Sequence, residues 1–203
     1  MKILCIGRNY ADHISELNNE RPSEPVIFLK PDTAILKDNE PFYHPDFSND
    51  IHHEIEIVLK INKVGKNIEA KFAHKYYDEI GLGVDFTARD LQTKLKEKGL
   101  PWEKAKAFNG SAPISGFIPK TEFENLANVN FHLDVNGKTV QQGNTEMMLW
   151  NFDEIIAEIS KYFTLKTGDL IFTGTPSGVG KVVVGDTLTA FIEERKMLTF
   201  EIK

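Results

Sequence analysis

One cysteine, two tryptophans and four methionines are all that the 203 residues hold of those types, and the scarcity of the first excludes the most. Cys5 has no second thiol to pair with, so an internal disulfide framework is ruled out. A reducing compartment is expected, most simply the cytoplasm. Long hydrophobic runs are missing as well. Residues 3–6 are too short for the apolar core of a signal peptide, and no stretch approaches the roughly 18 residues of a membrane span. Positive charge is in deficit: 24 Lys and Arg against 30 Asp and Glu give a net charge of −6. That balance speaks against a nucleic-acid surface and against a polybasic membrane patch. An anionic ligand would have to be met by local positive charge. No internal repeat, low-complexity stretch or linker-like shift interrupts the chain, and 41% hydrophobic with 27% charged residues is the composition of a folded globular protein. A single domain over residues 1–203 is expected.

Hydrophobic patterning predicts strands over residues 2–6, 26–29, 51–64 and 79–86, and helices over 10–18, 68–77, 88–98 and 153–162. Thr87 is placed to cap the helix at 88–98, which Gly99 and Pro101 stop. The strongest hairpin signal joins residues 131–135 and 139–142 through Asn136-Gly137, a pair suited to the positive φ angles of a two-residue turn. Strands over 170–173, 187–192 and 197–202 complete a strand-rich C-terminal half. The expected fold class is α+β, mainly β.

Within that frame, the residues with chemistry to explain are acidic. Glu54 and Glu56 are separated by one residue, so in a strand they face the same way, about 7 Å apart, while Ile55, Ile57, Leu59 and Ile61 take the other face. Alternation of this kind is also what a half-exposed strand shows. Asp85 stands inside the apolar run Ile80-Gly81-Leu82-Gly83-Val84-Asp85-Phe86, where an isolated carboxylate is too costly to bury without a partner. Three carboxylates without a thiolate make a hard oxygen site, suited to Mg²⁺ or Mn²⁺, with Ca²⁺ as a further alternative. His53-Glu54 does not open a zincin motif, because position 57 is Ile where His is required.

His13 and Glu16 lie three residues apart, so on a helix they share a face. The pair is either an imidazole oriented by a carboxylate or a surface ion pair. Residues 173–181 resemble a phosphate loop, but Val182 follows Lys181 and the glycine spacing departs from that pattern. A backbone anion cradle and a plain turn both remain open. Cys5 reads as core, and Lys30 and Lys106 read as basic residues at the edges of apolar segments.

Taken together, Arg8-Asn9-Tyr10-Ala11-Asp12-His13, Val26-Ile27-Phe28-Leu29-Lys30-Pro31, His52-His53-Glu54-Ile55-Glu56, Val84-Asp85-Phe86-Thr87-Ala88-Arg89-Asp90, Lys104-Ala105-Lys106 and Thr173-Gly174-Thr175-Pro176-Ser177-Gly178-Val179-Gly180 occur in the order of the fumarylacetoacetate hydrolase family. The chain resembles its short branch of acylpyruvases and oxaloacetate decarboxylases nearly end to end. The resemblance implies a mixed β-sandwich roll, a homodimer, one divalent cation per subunit and a small 2-oxo acid as substrate, with neither nucleic acid nor membrane as partner. It also implies the short form, without the extra N-terminal domain of longer members. Position by position, Glu54, Glu56 and Asp85 match the metal ligands, His13 and Glu16 a water-activating dyad, and Lys106 the active-site lysine. Arg8, Lys30, Arg89, Gln92 and Thr175 match positions around the substrate. The implied reaction is hydrolysis of the carbon-carbon bond of 3-acylpyruvates, together with decarboxylation of oxaloacetate. The alternatives are isomerisation or decarboxylation of hydroxylated dienedioates and, from another class, a non-catalytic metal-stabilised binding module.

Overall fold

A computed structural model describes residues 1–16 and 20–203. Its largest sheet has six strands in the order Val26–Lys30, Ile3–Gly7, Leu170–Phe172, Ile55–Ile61, Tyr77–Val84 and Ile118–Pro119. Ile3–Gly7 and Leu170–Phe172 run parallel while the other neighbours are antiparallel, so the sheet is mixed. A four-stranded antiparallel sheet follows the order Lys138–Asn144, Asn130–Val135, Thr187–Ile192 and Arg195–Glu201. A small three-stranded sheet pairs Gly180–Lys181, Ile51–His53 and Thr87–Ala88. The molecule is mostly β with few helices, as expected.

The large sheet is buried on both faces, and the alternation of its side chains shows how. Leu4, Ile6, Ile55, Ile57, Leu59 and Ile61 enter one apolar cluster, joined by Phe152, Ile155, Ile156 and Ile159 of the helix Phe152–Tyr162. Ile3, Cys5, Val58, Leu170 and Phe172 form a second cluster. Cys5 is therefore core. Asn151 caps that helix: its side chain accepts from the Asp153 and Glu154 N–H groups, and Glu154 reaches back to the Asn151 N–H, satisfying donors that a helix start leaves open. Among the described residues no helix is long and apolar enough to cross a membrane.

Several expected elements differ in ways that matter for function. The strand expected over 51–64 ends at Ile61 and breaks at Glu54: Ile51–His53 pairs in the small sheet and Ile55–Ile61 in the large one. The helix expected over 68–77 shrinks to Ala70–Ala73, because the next strand already starts at Tyr77. The helix expected at 88–98 spans Arg89–Glu97, and Thr87 does not cap it. Thr87 Oγ1 donates instead to Glu54 Oε1 at 2.9 Å, a buried carboxylate being the stronger acceptor. The helix expected over 10–18 is described over Ala11–Glu16; residues 17–19 lie outside the described residues.

Candidate active site

The break at Glu54 is what brings the acidic residues together. Asp85 leaves the strand Tyr77–Val84, and its N–H donates to the Glu54 carbonyl at 2.8 Å. Two chain segments thereby peel from the large sheet side by side, with Glu56 still in its strand. One carboxylate oxygen from each of Glu54, Glu56 and Asp85 falls within 4.8 Å of the others. All three side chains are buried. Lys106, on the short helix Glu103–Lys106, answers part of this charge: its Nζ donates to Glu54 Oε2 at 2.8 Å and Asp85 Oδ2 at 2.7 Å. Arg89 Nη2 adds a contact to Glu54 Oε1 at 2.6 Å.

Protonation follows from this uneven pairing. Burial alone would push the Glu54 carboxyl up, but the Lys106 and Arg89 charges overturn that and hold it far below the ordinary carboxylate range. Among the described residues no cation is paired with Glu56. Burial, reinforced by Asp85 and Glu54, pushes its carboxyl well up, against the Gly174 N–H that donates to Oε2 at 2.6 Å. Burial works against the Lys106 ammonium, yet Asp85 and Glu54 lift it above the usual lysine value, so Lys106 is a cation and not a base at neutral pH. Lys30 Nζ lies 2.7 Å from Asp85 Oδ1, without hydrogen-bond alignment, leaving that buried oxygen without a donor among the described residues. Three hard oxygen donors within 4.8 Å of one another, one of them kept from ionising by its neighbours, fit a small divalent cation.

Lys30 is not a wall of the cavity. The sequence reading placed it around the substrate; the structure buries it behind Asp85, where its ammonium also meets the Phe86, Lys106 and Ser111 carbonyls and Ser111 Oγ. An ammonium has three protons, and these acceptors already exceed them. Lys30 supports Asp85 and Lys106 instead of meeting a ligand.

The remaining expected residues do converge. His13, Arg8, Arg89, Gln92, Lys106 and Thr175 line one cavity of about 290 Å³ together with the three carboxylates, near the lower end of the range for small-molecule sites. His13 Nδ1 lies 3.3 Å from Glu16 Oε2, and Glu16 Oε1 accepts from the Gly178 N–H at 3.0 Å. The 173–180 loop is thus an anion cradle turned inward: its Gly174 and Gly178 N–H groups hold the protein's own Glu56 and Glu16. Both glycines sit at positive φ, +103° and +96°. A Cβ at 174 would come within 2.6 Å of Asn9 Cβ, and one at 178 would collide with the Val140 carbonyl, so side chains there would force the loop off its carboxylates.

Two groups of contacts escaped the sequence reading. Beside the expected Arg89 and Gln92, Thr93 and Lys96 also line the cavity from the helix Arg89–Glu97, at a spacing that puts all four on one face. The helical period could have flagged Lys96, whose ammonium is pushed below the usual lysine value by burial and by the Arg8 and Arg89 charges. Phe28 and Trp102 add apolar wall; nothing local marks them. Behind the wall, Asn9 ties the Arg8 turn to the 173–180 loop: Nδ2 donates to the Trp150 and Thr173 carbonyls at 3.0 and 2.7 Å, and Oδ1 accepts from the Trp150 N–H at 2.9 Å. Replacing it leaves buried groups unpaired. Asn9→Ala is expected to cost about 2–3 kcal/mol, read as a lower midpoint in urea unfolding; an unchanged midpoint would show that water replaces the amide.

The model of the fumarylacetoacetate (FAA) hydrolase C-terminal family matches residues 2–203. The chain belongs to this family. It is 42% identical over 199 residues to an oxaloacetate tautomerase of Escherichia coli (strain K12), covering 98% of this chain and 91% of that protein. It is 46% identical over 188 residues to a mitochondrial oxaloacetate decarboxylase of Dictyostelium discoideum, covering 92% and 86%. The crystal structure of fumarylpyruvate hydrolase from Pseudomonas aeruginosa in complex with Mn²⁺ and pyruvate superposes with a TM-score of 0.94 at 33% identity, covering 100% of this chain and 89% of that one. The family is one of enzymes with tautomerase, decarboxylase and hydrolase members. A bacterial and a mitochondrial relative do not single out the cytoplasm.

Proposed function

We propose that this protein is a divalent-cation-dependent enzyme acting on small 2-oxo acids, with keto-enol tautomerisation of oxaloacetate as the leading activity. One observation carries the reading: the buried carboxylates of Glu54, Glu56 and Asp85 share a cavity with a lysine kept charged and a histidine backed by a carboxylate. The similarity to the E. coli oxaloacetate tautomerase supports the choice of substrate. A cation held by the three carboxylates would supply Lewis acidity toward the oxygens of a 2-oxo acid; Mg²⁺ and Mn²⁺ are the candidates, the latter supported by the Mn²⁺-bound P. aeruginosa neighbour.

The chain's own residues account for the proton traffic. Tautomerisation moves a proton from the carbon beside the keto group to the keto oxygen. His13, whose Nδ1 faces Glu16, keeps Nε2 to take and return that proton. Lys106 sets its positive charge against the negative charge that develops on oxygen, and Arg89 and Gln92, 2.8 Å apart through Nη1 and Oε1, offer polar groups to the acid. Hydrolysis of 3-acylpyruvates is the second reading, supported by the same His13–Glu16 pair acting on water and by the fumarylpyruvate hydrolase likeness.

Steady-state assays on oxaloacetate, acetylpyruvate and fumarylpyruvate, with Mg²⁺ or Mn²⁺ and after exhaustive chelation, test both readings. Activity that survives chelation unchanged sinks the cation-dependent mechanism. His13→Ala is expected to lower tautomerisation and hydrolysis by about 10²–10⁴, while decarboxylation of oxaloacetate, which removes CO₂ without proton abstraction from carbon, falls far less. Equal loss of all activities would remove His13 from the proton-transfer role.

A further inference from the structure

Gln141 lies outside the cavity wall, in the strand Lys138–Asn144, and is 1% exposed. Every hydrogen-bonding position of its amide has a partner. Oε1 faces the Ile55 N–H at 3.0 Å and His53 Nδ1 at 2.8 Å. Nε2 faces Thr175 Oγ1 at 2.9 Å and the Pro176 carbonyl at 3.0 Å.

Two of these partners have no choice of role. A backbone N–H only donates, so the amide atom facing Ile55 must be the oxygen. A carbonyl only accepts, so the atom facing Pro176 must be the nitrogen. The orientation of the amide is therefore fixed from both sides, and the roles of the adaptable partners follow. Thr175 Oγ1 must accept from Nε2, which leaves its own proton to give elsewhere. Thr175 is 3% exposed and lines the cavity.

We propose that Gln141 is a positioning residue that holds the Thr175 hydroxyl as a hydrogen-bond donor aimed at an acceptor-only oxygen of the ligand, a carboxylate or keto oxygen. The strand carrying Glu56 thus sets, through its Ile55 N–H and one buried amide, the direction of a hydrogen bond from the adjoining 173–180 loop. This rests on the oxo-acid reading of the cavity. A 2-oxo acid offers only acceptors at that end, and a hydroxyl that must donate selects for it against a ligand presenting N–H or O–H groups.

Reversing the amide's polarity tests the arrangement. Gln141→Glu keeps an acceptor for Ile55 but turns the other side into an acceptor too, which draws the Thr175 proton away from the cavity. The probe is oxalate, an unreactive dianion with adjacent acceptor oxygens, titrated calorimetrically into Mn²⁺-loaded protein. KM and kcat on oxaloacetate and metal-free melting curves are measured alongside. Thr175→Val and Gln141→Glu are each expected to weaken oxalate by about tenfold, raising KM by a similar factor with kcat little changed, while Thr175→Ser binds as the wild type does. The double variant is expected to lose about tenfold and not a hundredfold, because without the hydroxyl there is nothing for residue 141 to orient. Independent, multiplying losses overturn the proposal, as does an unchanged oxalate affinity in Thr175→Val. Should Gln141→Glu fail to fold, which its metal-free melting reports, the Thr175→Val and Thr175→Ser pair decides. A wild-type protein that binds Mn²⁺ but no oxalate overturns the oxo-acid reading itself, and this inference with it.

Discussion

Lys106→Met is expected to unfold the metal-free protein at a temperature about 10 °C lower than wild type, and to leave it a poor enzyme even when a cation repairs its stability. Methionine fills much the same volume, so the loss is one of charge. Lys106 Nζ bridges the Glu54 and Asp85 carboxylates, at 2.8 and 2.7 Å, and it is buried. Removing one partner of a buried ion pair costs about 3–5 kcal/mol, and in a chain of this size each kcal/mol is worth about 2–4 °C. The pH dependence has a definite sign. Without Lys106, the burial that opposes ionisation of Glu54 loses its largest counterweight. The Glu54 carboxyl then rises in the folded state, so the deficit is largest at neutral pH and shrinks as pH falls through its folded value. Mn²⁺ should raise the melting temperature of the variant by more than it raises that of wild type, since it supplies the missing positive charge. Turnover should nevertheless stay about 10²–10³-fold down, because the charge is then no longer where negative charge develops. Full activity on adding Mn²⁺ would reduce Lys106 to a structural counter-ion.

How much of this was legible beforehand depended on how local each feature is. The Asn136-Gly137 hairpin was readable because its turn is decided by two residues, found at φ 53° and 77°. The helix Phe152–Tyr162 was readable because its periodicity lies in one stretch of chain. The acidic residues were readable as residue types, since an aspartate in an apolar run asks for a partner wherever it is. Their arrangement was not. A single strand over 51–64 keeps Glu54 and Glu56 on one face, but nothing in the pattern announces that the chain changes sheet at Glu54, which is what turns Glu54 toward Lys106 and Arg89. Lys30 illustrates the opposite error: motif matching placed it beside the substrate, whereas its burial and its crowd of carbonyl acceptors are tertiary facts. Gln141 gave no signal, because its partners Ile55 and Thr175 lie 86 and 34 residues away in sequence. The 173–180 loop left an anion cradle and a plain turn open, and only the fold shows its N–H groups on Glu56 and Glu16.

Glu56 carries the second large effect, because among the described residues it is the one of the three carboxylates without a paired cation. Glu54 has Lys106 and Arg89, and Asp85 has Lys106 and Lys30; Glu56 has one backbone N–H, from Gly174. Glu56→Gln keeps an oxygen for that N–H and removes the charge that Asp85 and Glu54 oppose. A carboxyl whose folded pKa is raised destabilises the fold wherever the unfolded chain would ionise it. The metal-free variant should therefore melt at or above the wild-type temperature at neutral pH, and the two should converge as pH falls and Glu56 is protonated in both states. Cation binding should go the other way. At a hundred times its dissociation constant, a cation adds about 2.7 kcal/mol to wild-type stability. Losing one of three anionic ligands weakens affinity by at least about 100-fold, so the same concentration should barely move the variant's melting temperature. Oxaloacetate turnover should drop about 10³-fold at that concentration, the several kcal/mol that a positioned cation contributes to the barrier. A variant that is less stable without metal, yet keeps the full melting shift with it, would place the cation elsewhere. The opposed signs separate a ligand from a structural acid: a residue that only holds the fold together cannot be removed with a gain in stability and a loss of metal response.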